Sequence, residues 1–83
     1  MEPTTQGGLT FGQKAVGLTF NPSGDVRVAA IKSAYANIID QLHNMRSSDG
    51  SPNMSGDKAR LISIAITEAQ GAQMWAVKAI TWE

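Results

Sequence analysis

RLISIAITEAQGAQMWAVKAI, residues 60–80, decides the fold. At about 100° per residue, Leu61, Ile62, Ile64, Ala65, Ile66, Ala69, Ala72, Trp75, Ala76, Val77, Ala79 and Ile80 fill an arc of roughly 220° around one helix. Arg60, Ser63, Thr67, Gln70, Gly71, Met74 and Lys78 form the remaining stripe. One neighbouring helix covers far less than such an arc, and the sequence offers a single other long helix. Copies of the same chain are therefore expected to cover the rest, and the polar stripe is where function is expected to sit.

The other helix lies upstream. Val28, Ile31, Ala34, Tyr35, Ile38, Ile39, Leu42 and Met45 recur at helical spacing and predict a helix over about 26–45. Ser33, Asn37, Asp40 and Asn44 mark its wet face. Asn21-Pro22-Ser23-Gly24-Asp25 breaks the chain before it, with Ser23 or Asp25 as cap. Ser47 to Gly56 reads as a loop, and Ser55 or Asp57 caps a second helix over about 57–80. The fold class is all-α: an antiparallel two-helix hairpin, about 30 Å long. Residues 20–83 are read as the hairpin domain.

Residues 1–19 are read as an extended or loosely turned N-terminal arm, with Met1 to Gly8 a polar tail. Within the arm, Gly8-Leu9-Thr10-Phe11 recurs as Gly17-Leu18-Thr19-Phe20. Two such copies are too few and too short for a solenoid. They place two aromatics.

An 83-residue chain buries a limited share of its surface and needs a staple. There is no cysteine for a disulfide or thiolate site, and His43 is the only histidine. That excludes most zinc geometries, so no metal is expected. Oligomerisation is the staple left, and the exposed apolar seam marks the association surface. Seven Lys and Arg face seven Asp and Glu. A neutral domain suits a small anion better than a long nucleic acid. No run approaches the roughly 20 apolar residues of a membrane span, and Met1 to Gly8 lacks the regions of a signal peptide. A cytoplasmic address is expected.

No catalytic set stands out. His43 sits among solvated neighbours near the loop and reads as a surface histidine, and no G-x-x-x-x-G-K-[ST] loop is present. Asp40 and Glu68 have nothing that places them together. Catalytic residues and cofactors are both expected to be absent, and the chain is not expected to be an enzyme. Glu68 and Trp75 read as structural, the indole as packing.

Binding residues are better represented. Lys32 lies at the edge of the first helix's apolar face, where an apolar stem and charged tip fit. Arg60 and Lys78 share the second helix's polar stripe, with Ser63 and Thr67 between them. Arginine suits bidentate phosphate recognition and lysine a point charge. Phe20, just before the break, can stack on a base.

These residues also carry a resemblance. Ala65-Ile66-Thr67-Glu68-Ala69-Gln70-Gly71-Ala72-Gln73-Met74-Trp75-Ala76-Val77-Lys78-Ala79, with Phe20-Asn21-Pro22-Ser23-Gly24-Asp25 and Ile31-Lys32 upstream, resembles the phage anti-CBASS and anti-Thoeris cyclic-nucleotide sponges. It covers roughly residues 11 to 82. The resemblance implies helical hairpins assembled into dimers and hexamers. It implies capture, without cleavage, of cyclic di- or trinucleotides or cyclic ADP-ribose isomers in pockets between protomers. It assigns Phe20 as the aromatic near the chain's entry to the hairpin, Lys32 as the lysine after isoleucine, and Arg60 as the arginine opening the second helix. This sequence has Phe at position 20 where relatives have Tyr. The expected ligand-binding set is Phe20, Asn21, Lys32, Arg60, Thr67 and Lys78, and the expected location is the cytoplasm of an infected bacterial host. A structural or adaptor helical oligomer is the rival from another class, and a hydrolase of the same messengers is a third reading.

Overall fold

The computed structural model describes residues 8–48 and 55–83. The expected tail and most of the expected loop lie outside them. Three helices follow one another: α1 (Phe11–Ala15), α2 (Val26–Ser48) and α3 (Gly56–Ile80). No strand occurs among the described residues. α2 runs three residues past its expected end. α2 and α3 are antiparallel: Arg46, late in α2, donates to Ser63 Oγ, early in α3, at 3.2 Å. At the other end Val28 and Thr81 line one cavity. The expected hairpin is present.

α1 corrects the expectation of an extended arm. Thr10 and Gln13 form a capping box: Gln13 N–H donates to Thr10 Oγ1 (3.1 Å) and Thr10 N–H to Gln13 Oε1 (2.9 Å). The helix ends in a Schellman turn. Leu18 N–H reaches Gln13 O (3.0 Å), Gly17 N–H reaches Lys14 O (3.1 Å), and Gly17 holds φ 63°. The two Leu-Thr-Phe copies diverge because Gln13 stands three residues after Thr10, whereas Pro22 stands three after Thr19. Only the first copy can close a capping box.

α1 lies against α2. Gly12 is buried there because its backbone meets that of Ala36. Asp40 holds the pair together: its carboxylate accepts Gly12 N–H (2.6 Å) and Thr10 Oγ1–H (2.7 Å). Hydrogen bonds to an ionised acceptor are short and strong. Asp40 is therefore a clasp rather than a member of a wet face.

The start of α2 is tied by side chains. Asp25 Oδ1 accepts Arg27 N–H (2.8 Å), the N-cap bond, and its carboxylate also pairs with the Arg27 guanidinium (2.8 Å). These Arg27 bonds hold the Asp25 carboxyl below its usual range. Ser23 Oγ–H donates to Asn21 Oδ1 (2.7 Å), and Asn21 Nδ2 donates to Asp25 O (3.1 Å). α3 is capped by Ser55, whose Oγ accepts Lys58 N–H (3.0 Å).

Val16, Ala36, Ile39, Ile62 and Ile66 form the buried cluster, with Ala15, Leu18, Tyr35, Leu42 and Ala69 packed around it. The structure measures 48 × 32 × 12 Å. α1 and α2 together cover only part of the apolar arc of α3. Leu61, Ile64, Met74, Trp75 and Trp82 remain exposed, Trp75 at 71% and Trp82 at 72%. The packing role expected of Trp75 is not met within one chain.

Candidate functional site

Of the six expected ligand-binding residues, Phe20, Asn21 and Lys32 come together. They line a cavity of about 270 Å³ with Val28, Val77 and Thr81. Lys32 also lines a second cavity, of about 420 Å³, between the end of α1 and α3. Lys14, Gly17, Gln70, Gln73 and Met74 border that one, and Val77 borders both.

Lys32 sits deeper than the helix edge where the sequence reading put it, at 5% exposure. Its Nζ donates to Gly17 O at 3.0 Å and, at closer range, to Phe20 O. It also lies 5.6 Å from the Phe20 ring centroid. The ammonium thereby ties the turn between α1 and α2. An ammonium has three donors, and two are engaged. Among the described residues no carboxylate pairs with it. Two carbonyl dipoles offset its buried charge only in part, so an anion is favoured beside it. Phe20 is largely exposed, with its ring free on one side for stacking. The Asn21 amide is part of the turn before α2, which fixes its position and engages one donor and one acceptor.

The other three residues lie elsewhere. Lys78 is flanked by two indoles, 5.6 Å from the Trp75 centroid and 5.7 Å from that of Trp82. With Gly71, Met74 and Trp75 it lines a third cavity of about 280 Å³. Arg60 and Thr67 are exposed on α3 and border none of these cavities. At about 1.5 Å per residue, the 17 positions from Arg60 to Val77 separate them by about 25 Å. Arg60 and Lys32 therefore cannot meet on one ligand within a single chain.

Two features escaped the sequence reading. His43 stacks on Phe11 (centroids 4.0 Å, 10° between planes), and its Nδ1 receives Arg46 Nη2–H at 3.0 Å. It belongs to a cluster joining α1, α2 and α3 rather than to an isolated surface. Gln73 is buried at 5% exposure. It falls on the same face as Ile62, Ile66 and Ala69, so the period that finds the core also flags an amide inside it. No cluster able to hold a metal occurs among the described residues, and no helix there is long and apolar enough to cross a membrane.

The sequence profile of the Acb2/Tad1 hairpin domain matches residues 13–81. The chain belongs to this family. The Acb2/Tad1 hairpin family is that of the anti-CBASS and anti-Thoeris sponges, as the resemblance implied. Comparisons with curated proteins and with solved structures give no match. The profile begins inside α1 and ends after α3, so it takes in the turn before α2 and the hairpin, and of the clasp it includes Asp40 but not Thr10 or Gly12. Membership supports a phage anti-defence role in binding cyclic nucleotide signals in general.

Proposed function

We propose that this Acb2/Tad1 hairpin protein sequesters cyclic nucleotide immune messengers, cyclic di- or trinucleotides or cyclic ADP-ribose isomers, and releases them uncleaved. It acts as a homo-oligomer, a dimer of hairpins built up to a hexamer, in the cytoplasm of the infected bacterial host. The observation that carries this reading is Lys32: a buried ammonium with no carboxylate partner among the described residues, beside an exposed aromatic ring, bordering two cavities. A phosphate completes its coordination while Phe20 stacks on the attached base. Nothing in that arrangement pairs a nucleophile with a base, so binding rather than turnover is the chemistry it serves.

Arg60, Thr67 and Lys78 enter through assembly. The span of about 25 Å along α3 that separates Arg60 from the Lys32 end is closed when a second hairpin lies alongside. Exposed Leu61, Ile64, Trp75 and Trp82 give the assembly an apolar surface to bury. Titration calorimetry against cyclic dinucleotides, cyclic trinucleotides and cyclic ADP-ribose isomers tests the reading. Chromatography of the ligand recovered after denaturation follows. Saturable heat with intact ligand recovered is expected. Degraded ligand would make the protein a hydrolase, and absence of heat across the panel would leave a structural oligomer.

A further inference from the structure

α3 has two working faces. Ile62, Ile66 and Gln73 turn inward to the core. On the opposite side Ile64, Glu68, Gly71, Trp75, Lys78 and Trp82 share an arc of about 80°. They follow one another at steps of four, three, four, three and four residues. That is the heptad seam of a helix that has a partner helix. Among the described residues nothing covers it: Ile64, Trp75 and Trp82 are exposed, Glu68 pairs with no cation, and Lys78 pairs with no carboxylate. Gly71 is out of place in the same sense. A glycine inside a helix weakens it, yet a Cβ built at Gly71 meets nothing within 4 Å. The packing of a single chain does not call for that glycine, so the group that needs the space comes from outside. A cavity of about 280 Å³ opens on the seam there.

Resting on the homo-oligomer of the sponge reading, we propose that a second copy docks on this seam, α3 against α3 about a two-fold axis, and that Glu68 and Lys78 set the register. The seam is self-complementary in the antiparallel sense. Gly71 and Trp75, Glu68 and Lys78, and Ile64 and Trp82 are each placed symmetrically about position 73. A two-fold axis there sets the members of every pair opposite one another, twice over. The Trp75 indole of one copy lies over Gly71 of the other, where no Cβ stands in its way. Trp82 covers Ile64. Glu68 meets Lys78, whose ammonium is already held between the Trp75 and Trp82 rings. A parallel pair would set glutamate against glutamate and lysine against lysine, and like charges repel. Within one chain Glu68 and Lys78 stand ten positions, about 15 Å, apart, too far for an ion pair. The same register carries Arg60 of one copy to the Trp82 end of the other, where Val77 and Thr81 border the cavity of Lys32. An ammonium has three donors, so Lys78 keeps capacity for a ligand at the edge of the seam.

Sedimentation velocity on the intact protein and on charge variants tests this. Glu68→Lys sets lysine against lysine, and Lys78→Glu sets glutamate against glutamate, at two places in each interface. Either variant alone is expected to weaken self-association by at least about tenfold. An equimolar mixture of the two variants is complementary again, and so is the double variant. Both should return to within about threefold of wild type. The mixture decides even where a single variant folds poorly without its partner. Gly71→Leu should also weaken self-association by about tenfold or more, because leucine takes the place of the incoming indole, although it is the better helix former. The proposal is overturned if either charge variant or Gly71→Leu assembles as wild type does, or if the mixture stays as weak as its components. Wild type that assembles alongside equally competent variants keeps the oligomer and refutes this seam alone. Wild type that stays an 8.8 kDa monomer at every concentration defeats the oligomer of the sponge reading, and this seam with it.

Discussion

Gly12 approaches Ala36 so closely that a Cβ on it would lie 2.1 Å from the Ala36 carbonyl oxygen. No side-chain adjustment relieves a clash with backbone. Gly12→Ala should therefore push α1 off α2 and cost at least about 1–3 kcal/mol, the usual range for overpacking. Urea unfolding followed by circular dichroism measures it. Because Lys14 to Gly17 line the larger cavity, ligand affinity should fall in the same variant. A variant as stable as wild type would contradict the docking of α1.

Asp40 is the second half of that attachment. Asp40→Ala removes acceptors from Gly12 N–H and Thr10 Oγ1–H. Hydrogen bonds to charged groups contribute about 1.5–3 kcal/mol, and a loss of that size is expected. Asp40→Asn keeps one acceptor oxygen and should recover part of it. The same unfolding experiment separates the two variants.

Much of this was legible in the sequence. The 3.6-residue period of residues 60–80 gave α3, and the same period gave α2, because long amphipathic helices average over many positions. α1 has five residues, too few for a period to register. Its signal was the Thr10–Gln13 capping box, hidden by the likeness of the two Leu-Thr-Phe copies. Asp40 was assigned to the wet face because periodicity cannot foresee α1 lying on it. Phe20, Asn21 and Lys32 converge because the turn before α2 folds back onto the helix. Arg60 was grouped with them through sharing a stripe with Lys78, and a stripe that spans most of a long helix says nothing of closeness along the axis. Trp75 belongs to the apolar arc, but the arc is wider than one partner helix covers.

Lys32 has a structural duty as well as its proposed ligand role, so the choice of substitution decides what is learned. Lys32→Glu would set a carboxylate against the Gly17 and Phe20 carbonyls and should lower the thermal midpoint sharply. Lys32→Met keeps the apolar stem and leaves two carbonyls without their donor, at about 1–3 kcal/mol. It should still fold, and its affinity for a cyclic dinucleotide should fall by about tenfold or more, since a charge-assisted phosphate contact is lost. Retained affinity in Lys32→Met would confine Lys32 to the turn.

Acid should weaken the tie at the start of α2. The Arg27 hydrogen bonds lower the Asp25 pKa in the folded chain. The stabilisation is therefore complete above the unfolded value, 3.8, and disappears as pH falls through the lower folded value. Asp25→Asn should flatten stability against pH in that window and leave it unchanged near neutrality in slope. A pH series of thermal melts, wild type against variant, reads this directly. Equal slopes below pH 3.8 would show that the Asp25–Arg27 pair contributes nothing in solution.

The central claim is that recognition happens in crevices shared among copies and leaves the messenger whole. Native mass spectrometry of the protein mixed with a cyclic dinucleotide weighs assembly and ligand together. The account predicts an oligomer of the 8.8 kDa chain, a hexamer when fully assembled, carrying a whole number of intact cyclic dinucleotides. A bare 8.8 kDa monomer, with the dinucleotide free in solution, would contradict it.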